Sequence, residues 1–394
     1  MSPATAATAA TPGTVRFAPP VIGQAEIDEV VAALQSGWLS TGPRVKQFEQ
    51  AFAAYVGAPH AVALNSCTAA LHLALLALEV GAGDEVVTTP MTFCATANVV
   101  IHAGATPTFA DIDPLTWNLS PEAAAAAMTP RTRAVLPVHF GGRPVDVGAF
   151  RAVADRHGAA LVEDAAHAVE AVSQGRKIGA TADFTCFSFY ATKNLTTGEG
   201  GMLTTGSDAG AAFVRTASQH GISRDGWARY KTAGSPHYEV LFPGYKYNMM
   251  DLQAAIGLHQ LAGLEARLAR RAAVWAIYDE GLADLPLTRP APIPAGDVHA
   301  RHLYSVLVTP GSGWTRDALM AHLSDEGIAT SLHFQALHLQ PYYRQRYGFK
   351  PGMFPEAERV SAEVMSLPLG GGTTDDEAWT VVGALRRAIL RGPR

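Results

Sequence analysis

The chain has 394 residues, 48% of them hydrophobic and 16% charged, and a formal net charge of −5. That length exceeds what one hydrophobic core usually organises, so two packed lobes are expected. The mild acidity argues against a nucleic-acid or membrane surface as the main partner, and no run of 18 apolar residues suggests a transmembrane helix. Cys67, Cys94 and Cys186 show no CxxC spacing and sit among small or apolar neighbours. Such thiols suit structural roles in a reducing, cytoplasmic compartment and support neither a disulfide nor a zinc site.

Residues 1–14 are rich in Ala, Thr and Pro, and no Lys or Arg precedes Arg16. They lack the positive start and continuous apolar stretch of a secretory signal and read as a disordered tail. A first helix is expected over Gln24 to Ser36. From Val45, Phe48, Phe52 and Tyr55 recur at three- and four-residue steps, which predicts an amphipathic helix. A short strand, Ala61 to Leu64, leads through Asn65-Ser66 into a helix over Cys67 to Val80. Strands follow at Glu85 to Thr89, Thr106 to Asp111, Ala134 to Phe140 and Ala160 to Asp164. Helices at Pro121 to Met128 and Val145 to His157 lie between them. This alternation predicts an α/β fold with a mostly parallel sheet covered on both faces. Two closely spaced strands, Phe184 to Phe189 and Gly201 to Thr205, come next. Met250 to Arg271 reads as one long helix with Leu252, Ile256, Leu261, Leu264 and Leu268 on one stripe. The remainder reads as a smaller α+β lobe, with a strand at His302 to Thr309 and a helix at Thr315 to Glu326 stopped by Gly327. Its last helix starts at Thr374 with Glu377 three residues on, a capping box. No internal repeat is visible.

Three segments carry chemistry. In FSFYATKN (Phe187 to Asn194), followed by Gly198-Glu199-Gly200-Gly201, Lys193 stands just past an apolar strand, before a turn. It can be a solvated charge or an amine pointing into a cleft. VEDAAHAVEA (Val162 to Ala171) sets Asp164 at the C-terminal end of a buried parallel strand, where open α/β sheets bind ligands. A carboxylate there needs a cationic partner, for which a protonated pyridine nitrogen qualifies, unless it serves as a helix N-cap. His167 can face the same ring or be a satisfied polar contact under the sheet. NSCTAAL (Asn65 to Leu71) is a strand-to-helix junction whose free N–H groups and dipole suit an anion, with Thr68 and Ser188 able to add hydroxyls. The same residues also make an ordinary cap. Phe93, in PMTFCATA, can stack on a cofactor or pack in the core.

From about Phe17 to the C-terminus the chain resembles the DegT/StrS group of nucleotide-sugar aminotransferases. Within that group it looks most like the UDP-4-amino-4-deoxy-L-arabinose aminotransferases, through SGWLSTGP (Ser36 to Pro43), EDAAHA, GYKYN (Gly244 to Asn248) and LHFQALH (Leu332 to His338). The resemblance implies a fold-type I (aspartate aminotransferase-like) architecture. Its large cofactor-binding domain would span residues 36–262, and its small domain residues 15–35 plus 263–394. It also implies pyridoxal 5′-phosphate as cofactor, held as a Schiff base on Lys193, which then shuttles the proton. Asp164 would pair with the pyridine nitrogen, and His167 would contact the ring near its phenolic oxygen. Cys67, Thr68 and Ser188 would hold the phosphate, and Phe93 would stack on the ring. Asn248 would reach the phosphate of the other subunit's cofactor in a homodimer, and His302 and His338 match positions near the sugar-nucleotide cleft. L-Glutamate would be the donor and a 4-keto sugar nucleotide the acceptor, in a ping-pong reaction.

Two departures stand out. Cys67 replaces the Gly or Ala of many members, and Phe93 replaces the Trp of the arabinose enzymes. Three rival functions remain at this point. A keto cyclitol or other acceptor without a nucleotide is one. A sugar dehydratase on the same scaffold is another, although such enzymes carry His in place of the lysine. The third is a non-catalytic regulator, against which the presence of Lys193, Asp164 and the phosphate-site residues speaks.

Overall fold

The computed structural model describes residues 14–223 and 238–393, so all but Thr14 of the expected tail lies outside the described residues. The chain opens with α1 (Gln24–Gln35), α2 (Pro43–Val56), β1 (His60–Leu64), α3 (Cys67–Ala77), β2 (Glu85–Thr88), α4 (Cys94–His102) and β3 (Thr106–Phe109). It continues through α5 (Pro121–Ala127), β4 (Thr132–Leu136), α6 (Val147–His157), β5 (Ala160–Asp164) and a small hairpin, β6 (Val172–Ser173) with β7 (Arg176–Lys177). Then come β8 (Phe184–Ser188), β9 (Gly201–Thr205), α7 (Asp208–Ala217), α8 (Asp251–Ala262), α9 (Leu264–Gly281), β10 (Leu287–Thr288) and β11 (Tyr304–Val308). The last elements are α10 (Arg316–Asp325), α11 (Pro341–Tyr347), α12 (Pro355–Glu363), β12 (Val364–Leu367) and α13 (Asp375–Arg391).

The main sheet has seven strands in the order β1-β9-β8-β5-β4-β2-β3, and only β9 runs antiparallel to its neighbours. Its central strands are buried along their whole length, because helices cover both faces. Phe48, Phe52, Phe150, Phe187 and Phe189 fill one interlayer. Leu64, Leu71, Leu75, Val86 and Leu136 fill the other. The chain steps from β2 outward to β3, then returns past β2 to β4. The loops leaving β2 and β4 therefore part in opposite directions and open a crevice at the strands' carboxyl ends. A second, antiparallel sheet, β10-β11-β12, is backed by α9, α10 and α13 through Tyr278, Tyr304, Leu319 and Leu385.

Most expected elements recur with ends moved by a few residues, and the Thr374–Glu377 capping box forms in both directions. Two readings need correction, and some elements, α4, α7, α11 and α12 among them, were not expected. The single helix over Met250 to Arg271 is two, α8 and α9, because Gly263 leaves the helical region (φ −92°, ψ 6°). A side chain there would meet the Arg267 guanidinium at 2.6 Å, and the leucine stripe runs across the break without registering it. The strand expected to reach Phe140 stops at Leu136, before Pro137, and Phe140 lies in a turn with Gly141 at φ 60°. Helix α4 follows Phe93 directly. Its short sequence, CATANVVIH, carries no clear helical period to read, and it caps without a side-chain hydrogen bond. Helix α7 was not anticipated either.

Gly201 lets α3 approach the sheet. A Cβ on it would lie 2.4 Å from the Ser66 carbonyl carbon and 2.6 Å from the Cys67 nitrogen. Gly201→Ala should therefore cost about 1–3 kcal/mol and loosen whatever α3's first turn holds. Urea unfolding checks this, with Gly206→Ala, where nothing lies within 4 Å, as the neutral comparison.

Candidate active site

The crevice at the switch point encloses ≈ 490 Å³. Thr92 and Phe93 line it from the loop after β2, Val138 from the loop after β4, Asp164 from the end of β5 and Ser188 from the end of β8. The start of α3, the turn carrying Lys193, and Leu332 to Phe334 from the smaller lobe complete it.

Asp164 is 5% exposed. Its Oδ2 accepts from the Thr96 hydroxyl at 2.8 Å, and its Oδ1 accepts from the Ala166 N–H at 3.1 Å. Thr96 in turn shares a 2.8 Å hydroxyl contact with Thr92. Burial pushes the Asp164 carboxyl above the usual range, opposed by those two donors and by the charges of Lys193 and His139. Asp164 does not cap a helix; the segment after it is a turn.

Lys193 sits in a turn closed by its N–H on the Tyr190 carbonyl, 2.9 Å away. Desolvation brings its ammonium down to about 8, while Asp164 and Cys67 act in the opposite sense. The buried acid and the half-buried lysine thus each relieve part of the other's cost.

His167 accepts from the Gly141 N–H through Nδ1 at 3.2 Å. Desolvation, with Lys193, His302 and His333 close by, holds its imidazole well below the ordinary value, so it is neutral with its proton on Nε2. Its ring lies 4.4 Å from that of His302 and 6.0 Å from that of Phe334, nearly parallel to the latter at 15°.

At the other end of the crevice, Ser66 caps α3 by accepting from the Ala69 N–H at 3.1 Å. The first-turn amides of Cys67 and Thr68 stand at the helix's positive end. The Cys67 thiol turns away to the Cys186 carbonyl at 3.5 Å, and burial pushes both thiols well up. Cys67 therefore offers only its backbone, which explains why Cys is tolerated there. Thr68 is exposed, and Ser188 is buried at the crevice wall. Phe93 is 60% exposed at the crevice mouth, where its ring face is open to a ligand.

Seven of the ten candidate residues therefore meet in one crevice: Cys67, Thr68, Phe93, Asp164, His167, Ser188 and Lys193. Three do not line it. His302 lies behind His167, with its Nδ1 3.1 Å from the Asn194 amide oxygen. His338 is fully buried, with Nε2 3.0 Å from Glu358 and its Nδ1 unpartnered. Asn248 lines a separate hollow beside α2, β1 and Arg215. It does not cap α8, whose N-cap is Met250. Its amide instead donates to the Thr41 hydroxyl at 2.7 Å, which leaves Oδ1 buried and unpartnered. Thr92, Thr96, His333 and Phe334 went unread. LHFQALH contains two histidines, and spacing alone gives no reason to prefer His333, which lines the crevice, over His338.

A buried carboxylate at a strand end, a partly deprotonated amine, a helix N-terminus and an exposed aromatic face fit the pyridine nitrogen, aldehyde, phosphate and ring of pyridoxal 5′-phosphate. Fold and crevice together define a pyridoxal-phosphate-dependent aminotransferase of fold-type I. The chain belongs to the DegT/DnrJ/EryC1/StrS aminotransferase family, which it matches over residues 20–386. It is 50% identical over 372 residues to the spore coat polysaccharide biosynthesis protein SpsC of Bacillus subtilis, covering 94% of this chain and 96% of that one. Among solved structures, the Streptococcus pneumoniae protein Spr1654, described as a sugar aminotransferase and seen in its PMP form, superposes with a TM-score of 0.90 at 33% identity. That match covers 96% of this chain and 99% of Spr1654. DesI, solved in the presence of its TDP-sugar product, gives a TM-score of 0.85 at 36% identity over 97% of this chain and 95% of DesI.

The depressed lysine makes a direct prediction. In cofactor-free protein, Lys193 should acylate with a pH midpoint of about 8. At pH 7.5 about a quarter of it would be free amine, against about 0.1% for an unperturbed lysine. Competitive acetylation followed by peptide mass spectrometry reads the midpoint, and a value above 10 would contradict this environment.

Proposed function

We propose that this enzyme transfers the amino group of L-glutamate to the keto carbon of a 4-keto sugar nucleotide. The observation that carries the reading is the pairing, in one crevice, of the buried Asp164 with a lysine amine brought down to about 8. Pyridoxal phosphate, when bound, would supply an electron sink for the deprotonated donor carbon and would carry the amino group between the two half-reactions.

The positions of the chain's own groups support the following roles. Lys193 is the covalent anchor for the cofactor. When not bonded to the cofactor, its Nζ would be the base placed to take up the donor's Cα proton. Asp164, held by Thr96 and Ala166, keeps the ring nitrogen protonated. His167 donates from Nε2 toward the ring's phenolic oxygen. The amides of Cys67 and Thr68, with the hydroxyls of Thr68 and Ser188, hold the phosphate, and Phe93 covers the ring face. By the family resemblance, Asn248 serves the cofactor of a partner subunit, which makes the working unit a homodimer. The presence of Lys193 separates this reading from a dehydratase.

For the acceptor, the likeness to SpsC favours a sugar destined for a surface polysaccharide, and DesI supports a nucleotide-linked one. The arabinose-type acceptor rests on the four motifs quoted above, and Phe93 departs from that pattern. Screening keto acceptors against the glutamate-treated enzyme tests the choice. Conversion only of ketones lacking a nucleotide would overturn the nucleotide-sugar assignment.

Lys193→Ala should lose at least about 10²–10⁴-fold in turnover while still binding cofactor non-covalently, and turnover at the wild-type rate would sink the anchor assignment. Asp164→Asn should slow the glutamate half-reaction by about 10²–10³-fold, read by stopped-flow absorbance, with a smaller effect on melting. For the dimer, chains carrying Lys193→Ala and chains carrying Asn248→Ala should regain one wild-type-like site when mixed. Absence of any regained activity in verified mixed dimers would confine Asn248 to its own chain.

A further inference from the structure

Asn194 follows Lys193 directly and is held on three sides. Its Nδ2 donates to Glu170 Oε2 at 2.9 Å and to the Ala300 carbonyl at 2.9 Å. Both amide hydrogens are then engaged, so Oδ1 can only accept, and His302 Nδ1, 3.1 Å away, must carry the proton between them. Glu170 is 1% exposed, and its other oxygen pairs with the equally buried Arg271. Arg271 also donates to the Ala300 carbonyl at 3.3 Å.

The far side of this contact is equally well held. Ala300 N–H donates to the Gly142 carbonyl at 2.8 Å, and the amides of His302 and Leu303 donate to the Gly141 carbonyl at 3.1 and 3.0 Å. Between them Arg301 adopts φ 51°, the left-handed region that non-glycine residues enter at a cost. The segment leads straight into β11 of the smaller lobe. Asn194 is thus the point where the lysine turn, the segment after β5, α9 and the entry to the smaller lobe are tied together. None of these ties uses the lysine itself.

We propose that Asn194 is a positioning residue for Lys193, and that His302 acts through Asn194 rather than by touching substrate. The inference rests on the reading of Lys193 as cofactor anchor and base. In each half-reaction the lysine must leave its partner atom, act as a base in place, and return to the same atom. Its side chain is free during that interval, so its position depends on the backbone of the turn. A tie on the next residue, anchored in two lobes by a buried ion pair and a tautomer-fixed imidazole, keeps Nζ within reach throughout. A displacement of about 1 Å at a reacting group costs on the order of 10²-fold.

The experiment uses full-length holoenzyme and cofactor-free protein side by side. Asn194→Ala should lower kcat by about 10²-fold with KM for glutamate changed less than about twofold, the split expected of a group acting on the reacting amine. In cofactor-free protein the acetylation midpoint of Lys193 should rise from about 8 as the turn loosens and water reaches the amine. His302→Leu, which cannot donate, should show the same kcat loss. His302→Gln, whose amide can donate to Oδ1, should recover most of it, which keeps the test available if Asn194→Ala does not fold. A wild-type kcat in folded Asn194→Ala or His302→Leu overturns the proposal. So does a lowered melting temperature with an unmoved Lys193 midpoint, which would mark the tie as structural only. A His302→Gln variant with raised acceptor KM and unchanged kcat would place the ring on the substrate and also overturn it. Borohydride trapping of the cofactor on Lys193 is run in parallel. Trapping at another lysine would sink the anchor reading itself, an outcome distinct from any of these.

Discussion

Asp164 is a carboxylate placed at the end of a buried strand, where ionisation is costly and water is nearly excluded. Removing a charge from water is unfavourable unless partners replace its hydration. Here the replacement is incomplete: one hydroxyl from Thr96 and one amide from Ala166. The carboxyl stays raised, and the Lys193 amine nearby is lowered by the same exclusion of water. Both groups are better satisfied when a cationic ring nitrogen meets the acid and a carbonyl carbon meets the amine. Groups perturbed in this way by burial are characteristic of functional sites.

The rest of the structure serves to hold that crevice open and aligned. The parallel sheet delivers the β2, β4, β5 and β8 ends to one edge, and the reversal between β2 and β4 separates their loops. Gly201 admits the start of α3 close to β9, bringing a positive helix end to the same place. The smaller lobe closes the far wall with Leu332, His333 and Phe334. His333 is held by the Ser366 hydroxyl at 2.9 Å, and burial brings its imidazole down to about 4, so it faces the amine uncharged. A neutral His167, His302 and His333 around Lys193 avoid setting further cations against it.

Much of this was legible because it depends on local pattern. Alternating strand and helix periods reveal a covered parallel sheet, and a sheet of that kind binds ligands at its carboxyl edge. Lys193, Asp164, Phe93 and the Asn65–Leu71 junction were therefore readable as strand-end residues, before any distance was known. The break at Gly263 was not readable. The apolar stripe continues through it, and the leucine spacing does not mark where Gly263 leaves the helical region. Helix α4 was hidden by a short sequence with no clear amphipathic period, and Thr96 by lying inside that helix.

What the amino-acid order determined by itself was the set of elements, the strand ends and the chemical types carried there, since these follow from short-range periodicity and from which groups can tolerate burial. What only the tertiary structure decided was which distant groups share that edge. His333 and Phe334 reach the crevice from the second lobe, whereas His338, five and four residues further on, turns instead to Glu358. Likewise His302 meets Asn194 across 108 positions. Such contacts depend on how the two lobes dock, and docking is set by the shapes of assembled layers rather than by any spacing along the chain.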